Sequence, residues 1–205
     1  MTPPRVKICG ITRLEDAAAA VRAGADALGF NFWPRSRRYL APEAARAIAR
    51  RLPPFVTTVG VFVDPSRDEV LRAAEASGIQ VVQLHGNEPP ALASSLPLPV
   101  VKAIHVADAS SLAALASYEV SAFLLDSASP GYGGSGTAFD WDLAREVASS
   151  ATVVLAGGLT PENVGQAVRR VRPWGVDVAS GVESAPGVKD ETRMTAFVRA
   201  AKEAR

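Results

Sequence analysis

Val6-Lys7-Ile8-Cys9-Gly10-Ile11-Thr12 is the stretch that decides the architecture. It opens as a short apolar run, as a strand buried on both faces does, and it breaks at Gly10, where a strand hands over to a loop. An open doubly wound sheet needs a glycine-rich phosphate fingerprint at this junction. Cys9-Gly10-Ile11-Thr12-Arg13 is not one. The junction also carries the only cysteine of the chain. A thiol there is either a small core hydrophobe or a group facing a pocket at the end of a strand.

Outward from this stretch, apolar or β-branched runs recur every 20 to 25 residues or so, each followed by an amphipathic helical pattern, and such alternation argues a parallel sheet of strand–helix units. The expected strands are Val6–Ile11, Ala27–Phe32, Thr57–Val63, Val81–His85, Val100–Val106, Ala122–Asp126, Val153–Ala156 and Gly175–Ala179. The expected helices are Leu14–Ala23, Pro42–Arg51, Ser66–Ser77, Glu88–Leu96, Asp108–Ser117, Asp140–Ser149, Pro161–Val171 and Asp190–Ala204. Thr12 is the expected N-cap of the first helix, and Gly24 and Gly78 are expected C-terminal stops. Thr160-Pro161-Glu162-Asn163 orders an N-cap, a first-turn proline and an acidic first turn. Eight such units predict an α/β fold, a (β/α)8 barrel spanning residues 1–205 as one domain.

Composition narrows the function classes. Of 205 residues, 48% are hydrophobic, enough for a large core without disulfides, and a lone cysteine excludes both an internal disulfide and a multi-cysteine metal site. The net charge of +1 gives no electrostatic reason to expect nucleic acid or an acidic membrane as partner. No secretory signal pattern opens the chain, and no apolar run nears the ~20 residues that span a bilayer. A cytoplasmic location is the expectation. Arginine (18) outnumbers lysine (4), which reads as genome composition as readily as heat adaptation.

In a barrel of this kind the active site lies at the C-terminal ends of the strands. Those ends carry Cys9, the basic loop Trp33-Pro34-Arg35-Ser36-Arg37-Arg38-Tyr39, Gln83-Leu84-His85-Gly86, Leu124-Leu125-Asp126-Ser127, Ala156-Gly157-Gly158 and Ala179-Ser180-Gly181. Side chains alternate along a strand, so Lys7 shares a face with Cys9, Gln83 with His85, and Leu124 with Asp126. Asp126 is either a working carboxylate or a cap for a neighbouring loop amide. His85 is either functional or a satisfied core imidazole, and His105 reads as structural. Gly157, Gly158, Ser180 and Gly181 expose backbone amides on adjacent strand ends, where phosphate sites of this fold sit; glycine pairs also serve ordinary turns. Gly133-Gly134-Ser135-Gly136 reads as a lid-like or phosphate-contacting loop, or as a plain connector.

These stretches, together with Gly29-Phe30-Asn31-Phe32, Val59-Gly60-Val61-Phe62-Val63, Thr137-Ala138-Phe139-Asp140-Trp141, Leu159-Thr160-Pro161-Glu162-Asn163-Val164 and Val176-Asp177-Val178-Ala179-Ser180-Gly181-Val182-Glu183, closely resemble the phosphoribosylanthranilate isomerase family of tryptophan biosynthesis, in family order over nearly the whole chain. Ala156 and Ala179 stand where some relatives carry serine. The resemblance implies an Amadori rearrangement of an aminoaldose phosphate to an aminoketose, with no cofactor and no metal. It implies Asp126 as general acid, Cys9 as general base and Arg38 as the partner of the anthranilate carboxylate; Arg35 and Arg37 read as solvated or of secondary use. It further implies phosphate binding near Gly157, Gly158, Ser180 and Gly181, and sugar contacts from His85 and Asp177. Asp177 has a competing role, an ion pair with Lys7 across the closure of the barrel. The family admits monomers and homodimers. Two rivals stand beside this reading. One is the aminoaldose isomerase of histidine biosynthesis, which generally places an aspartate where this chain has Cys9. The other is a barrel that binds phosphorylated ligands without catalysis, which would need neither Cys9 nor Asp126.

Overall fold

A computed structural model of the chain describes residues 2–127 and 140–204. Eight parallel strands close into a barrel in sequence order: β1 (Arg5–Cys9), β2 (Ala27–Asn31), β3 (Thr57–Phe62), β4 (Val81–Leu84), β5 (Val100–Val106), β6 (Ala122–Ser127), β7 (Val153–Leu155) and β8 (Gly175–Val178). β8 pairs with β1 in the register Lys7↔Asp177 and Ile8↔Val178, so closure sets a lysine beside an aspartate. All eight expected strands form, with ends shifted by at most two residues and β5 matching its expected bounds.

Alternation divides the strand residues between two cores. Residues such as Val6, Ile8, Leu28, Phe30, Val82, Leu84, Leu125 and Val176 face outward and pack under the helices. Ala103, Leu124, Val154 and Ala156 form a small separate cluster with Val101. The helices are α1 (Leu14–Ala23), α2 (Pro42–Ala49), α3 (Arg67–Ser77), α4 (Pro90–Ser95), α5 (Trp141–Ala148), α6 (Val164–Val171) and α7 (Glu191–Glu203); the fifth connection is a 3-10 helix, Ala109–Ser117. Gly24 (φ 95°) and Gly78 (φ 73°) close α1 and α3 in the left-handed conformation expected of them.

Several local expectations are corrected. Arg13, not Thr12, is the N-cap of α1. The Thr12 hydroxyl instead donates to the Gly187 carbonyl at 2.6 Å. α6 begins at Val164, not Pro161, because Asn163 turns its side chain back: Oδ1 accepts from the Thr160 amide at 2.8 Å, and Nδ2 donates to Gly158 O at 2.9 Å. α4 begins at Pro90 rather than Glu88, whose carboxylate is drawn inside the protein. A 3-10 turn, Ser180–Val182, and a hairpin, β9 (Glu183–Ala185) with β10 (Val188–Lys189), follow β8 without a forewarning pattern. The expected loop Gly133-Gly134-Ser135-Gly136 and the stretch Thr137-Ala138-Phe139 lie outside the described residues.

Candidate active site

A pocket of about 540 Å³ opens at the C-terminal ends of the strands. Cys9, Arg38, His85, Asp126, Gly157, Gly158, Asp177, Ser180 and Gly181 all line it, so every expected site residue meets in one cavity. Arg35 and Arg37 stand at the same lining.

On one wall stands Cys9, a free buried thiol. Gly29 is its register partner on β2, and a side-chain carbon there would come within 2.9 Å of Sγ and 3.1 Å of Lys7 Nζ. Only glycine leaves the thiol and the ammonium this space. Lys7 donates to Asp177 Oδ1 at 2.9 Å, the pair anticipated across the barrel closure. Burial pushes the Cys9 thiol above its ordinary pKa; the charges of Lys7 and Lys189 oppose that, and Asp177 adds to it. The resting group is a thiol with two cations poised to favour its anion. Burial by itself would lower Lys7, but Asp177 and Cys9 together raise it above the ordinary lysine value.

The opposite wall is built on β4, β5 and β6. Asp126 Oδ2 lies 3.4 Å from His85 Nε2, and His85 Nδ1 lies 2.9 Å from Gln83 Nε2. With the Gln83 amide so oriented, Nδ1 is the acceptor and Nε2 carries the proton toward Asp126. His105, expected to be structural, packs edge-on against His85 with ring centroids 5.1 Å apart and directs Nε2 at the His85 carbonyl, 3.2 Å away. Burial and neighbouring His85 hold His105 below the ordinary histidine pKa. The ligand-capable atoms of His85, His105 and Asp126 lie within 4.8 Å of one another. His85 Nδ1 already meets the Gln83 amide, while Nε2 and Asp126 Oδ2 face each other at ion-pair distance.

Glu88 and Lys102 hold the turn after His85. Lys102 donates to Glu88 Oε2 at 2.8 Å and to Gly86 O at 2.6 Å, while Glu88 Oε1 accepts from the amides of Gly86 (2.9 Å) and Asp64 (3.0 Å). Both side chains of the pair are buried. A buried pair survives only with its remaining donors and acceptors satisfied, and here those partners are the backbone that presents His85.

The loops after β7 and β8 line the pocket where a phosphate site was expected. Gly157 and Gly158 adopt φ of 80° and 64°, and among the described residues their amides meet no backbone carbonyl. A side-chain carbon at Gly157 would meet the Ser127 amide and Asp126 Oδ1, and one at Gly181 would strike the Leu159 carbonyl. The chain therefore runs close-packed here, at the rim of the cavity that Gly157, Gly158, Ser180 and Gly181 line.

Arg38 is not bare. Its Nε and Nη2 donate to the two carboxylate oxygens of Glu183, each at 2.7 Å. Glu183 also accepts from Lys189 Nζ at 2.9 Å and from the Gly187 amide at 3.3 Å. Burial would raise the Glu183 pKa, but Arg38 and Lys189 hold it below the ordinary carboxylate value. Gln83, Glu183 and Lys189 were not singled out from the sequence as site residues. For Gln83 a signal existed, since it shares the face of His85.

Comparison with known proteins covers nearly the whole chain. Residues 6–200 match the model of the family described as N-(5'-phosphoribosyl)anthranilate (PRA) isomerase. An N-(5'-phosphoribosyl)anthranilate isomerase of Pelobacter propionicus is 52% identical over 202 residues, covering 98% of this chain and 97% of its own. The crystal structure of phosphoribosyl anthranilate isomerase from Thermotoga maritima superposes with a TM-score of 0.92 at 47% identity, covering 97% of this chain and 98% of that one. A further structure of such an isomerase, in complex with reduced 1-(o-carboxyphenylamino)-1-deoxyribulose 5-phosphate, gives a TM-score of 0.88 at 44% identity, covering 97% of this chain and 98% of that one.

Proposed function

The chain belongs to the N-(5'-phosphoribosyl)anthranilate isomerase family, and from that premise we propose how its residues divide the reaction. The activity is the Amadori rearrangement of N-(5-phosphoribosyl)anthranilate to 1-(2-carboxyphenylamino)-1-deoxyribulose 5-phosphate, a step of tryptophan biosynthesis. The furanose ring must open, and a proton must then leave C2.

Asp126 is the general acid. It gives a proton to the ring oxygen as the C1–O bond breaks, and the anthranilate nitrogen becomes a protonated Schiff base. His85, fixed by Gln83, holds one oxygen of Asp126; the other, Oδ1, borders Gly157 beside the cavity. Cys9 is the general base. Its buried thiol is a poor base at rest, and ionisation follows arrival of the cationic Schiff base, with Lys7 and Lys189 already favouring the anion. The iminium also acidifies the C2 proton that the thiolate removes. The resulting enaminol then becomes the aminoketone, taking a proton at C1 and releasing one from the C2 hydroxyl.

The phosphate is held by the backbone amides of Gly157, Gly158, Ser180 and Gly181, the anthranilate carboxylate by Arg38, and sugar hydroxyls by His85 and Asp177. The observation that carries this assignment is that a thiol on β1 and a carboxylate on β6 line one pocket from different walls. Such an arrangement serves the two proton transfers at separate atoms of one substrate. Turnover measured with N-(5-phosphoribosyl)anthranilate and with the aminoaldose of histidine biosynthesis tests it. Conversion of the first is expected. Preference for the second, or turnover of neither, would overturn the assignment.

A further inference from the structure

A guanidinium presents two edges on which a carboxylate can sit with two hydrogen bonds: the Nε–Nη2 edge and the Nη1–Nη2 edge. Glu183 occupies the first edge of Arg38 completely, at 2.7 Å on both bonds. Among the described residues the second edge has no protein partner, and Arg38 itself lines the catalytic pocket. The stem of Arg38 lies over Gly10 (φ 74°), where any side-chain carbon would strike it. The guanidinium is thus fixed at its stem and along one edge.

An isolated Arg–Glu pair would be neutral and would hold little attraction for a second carboxylate. Here Glu183 has another cation. Lys189 stands opposite Glu183 across the β9–β10 hairpin and donates to Oε1 at 2.9 Å. The Lys189 side chain is fully buried. Its ammonium is further fixed by the Ala179 carbonyl at 3.0 Å, and its amide by Asp16 Oδ2 at 3.1 Å. Burial lowers the Lys189 pKa below the ordinary lysine value against the pull of Glu183; with Lys189 protonated, two cations and one carboxylate leave the cluster a net charge of +1.

We propose that Glu183 and Lys189 are positioning residues for carboxylate recognition: Glu183 holds Arg38 by one edge so that the other serves the substrate, and Lys189 preserves the positive charge. The hairpin after β8 is then a specificity device for an aromatic acid bearing a carboxylate beside its amine. This rests on the reading of Arg38 as the partner of the anthranilate carboxylate.

The test compares dissociation constants for two probes, reduced 1-(2-carboxyphenylamino)-1-deoxyribulose 5-phosphate and the same compound without its carboxylate. The preference of each variant is the ratio of the two, which a partly unfolded sample does not distort. Arg38→Met should abolish the preference. Glu183→Gln and Lys189→Met should each cut it about tenfold, about 1.4 kcal/mol, with the carboxylate-free probe bound within about twofold of the unmodified enzyme. Lys189→Arg should restore it. Glu183→Gln tests the edge and Lys189→Met the charge, so either soluble variant decides its own half. If Arg38→Met loses the preference while Glu183→Gln and Lys189→Met keep it, or weaken both probes equally, the inference fails. If Arg38→Met keeps the preference, the underlying reading of Arg38 fails instead.

Discussion

Lys7→Met separates the stability of the barrel from the chemistry of Cys9. Lys7 and Asp177 form a buried pair at 2.9 Å with about a tenth of each side chain exposed. Removing one member of such a pair costs about 3–5 kcal/mol, because the other is left charged and uncompensated. In a domain of this size about 2–4 °C of melting temperature accompanies each kcal/mol, so Lys7→Met should melt lower by about 6–20 °C. Lys7→Met with Asp177→Asn removes both charges and should recover most of that loss. The chemistry should not recover with it. Burial is the largest influence on the thiol and disfavours its anion, and the charge of Lys7 is the largest influence opposing burial, ahead of the contrary effect of Asp177. Lys7 also hydrogen-bonds the thiol, and because Asp177→Asn removes part of the contrary charge, the net loss in thiolate-dependent rate in the double variant should be about tenfold, about 1.4 kcal/mol. The sign follows: without Lys7 the thiolate forms only at higher pH, so the acid limb of kcat, which reports the enzyme–substrate complex in which the thiol ionises, moves upward. The measurement is the pH profile of kcat for the unmodified enzyme and the double variant, with melting curves on the same samples. A double variant of near-normal stability whose acid limb stays in place would refute the thiolate reasoning.

Asp126→Asn keeps the shape of the side chain but supplies no acidic proton; kcat should fall about 10²–10⁴-fold with the melting temperature held, whereas a loop cap would give a lower melting temperature and near-normal kcat. Arg38→Ala should weaken binding of the reduced product by about 2–5 kcal/mol, and Arg35→Ala far less, because Arg38 alone of the two is fixed by a bidentate partner. Equal losses in a binding titration would identify the wrong arginine.

The barrel was legible because each strand writes its burial locally. Val6–Ile8 or Leu124–Leu125 read as strand without knowledge of the rest, and glycine stops such as Gly24 declare a helix end by backbone freedom. The ends of the strands, taken in order, then delivered Cys9, His85 and Asp126 into one cavity, and the family resemblance added Asp177. What stayed hidden depends on contacts far apart in sequence. Glu88 looked like the start of a helix, yet its carboxylate is claimed by Lys102 and by the Asp64 amide. Glu183 lies in a short polar hairpin with no periodicity, and its meaning comes from Arg38, 145 residues earlier. Asn163 satisfied a helix-start pattern but turned back on Thr160, because Gly158 offered its carbonyl. The raised pKa of Cys9 is likewise a product of burial that no local motif encodes.

The central claim is that Cys9 removes the C2 proton, and Cys9→Ala tests it most directly. Its kcat for N-(5-phosphoribosyl)anthranilate is measured alongside its dissociation constant for the reduced product. We predict a kcat at least about 10²-fold below the unmodified enzyme, with affinity within about tenfold. A Cys9→Ala enzyme that keeps most of its kcat would contradict the account.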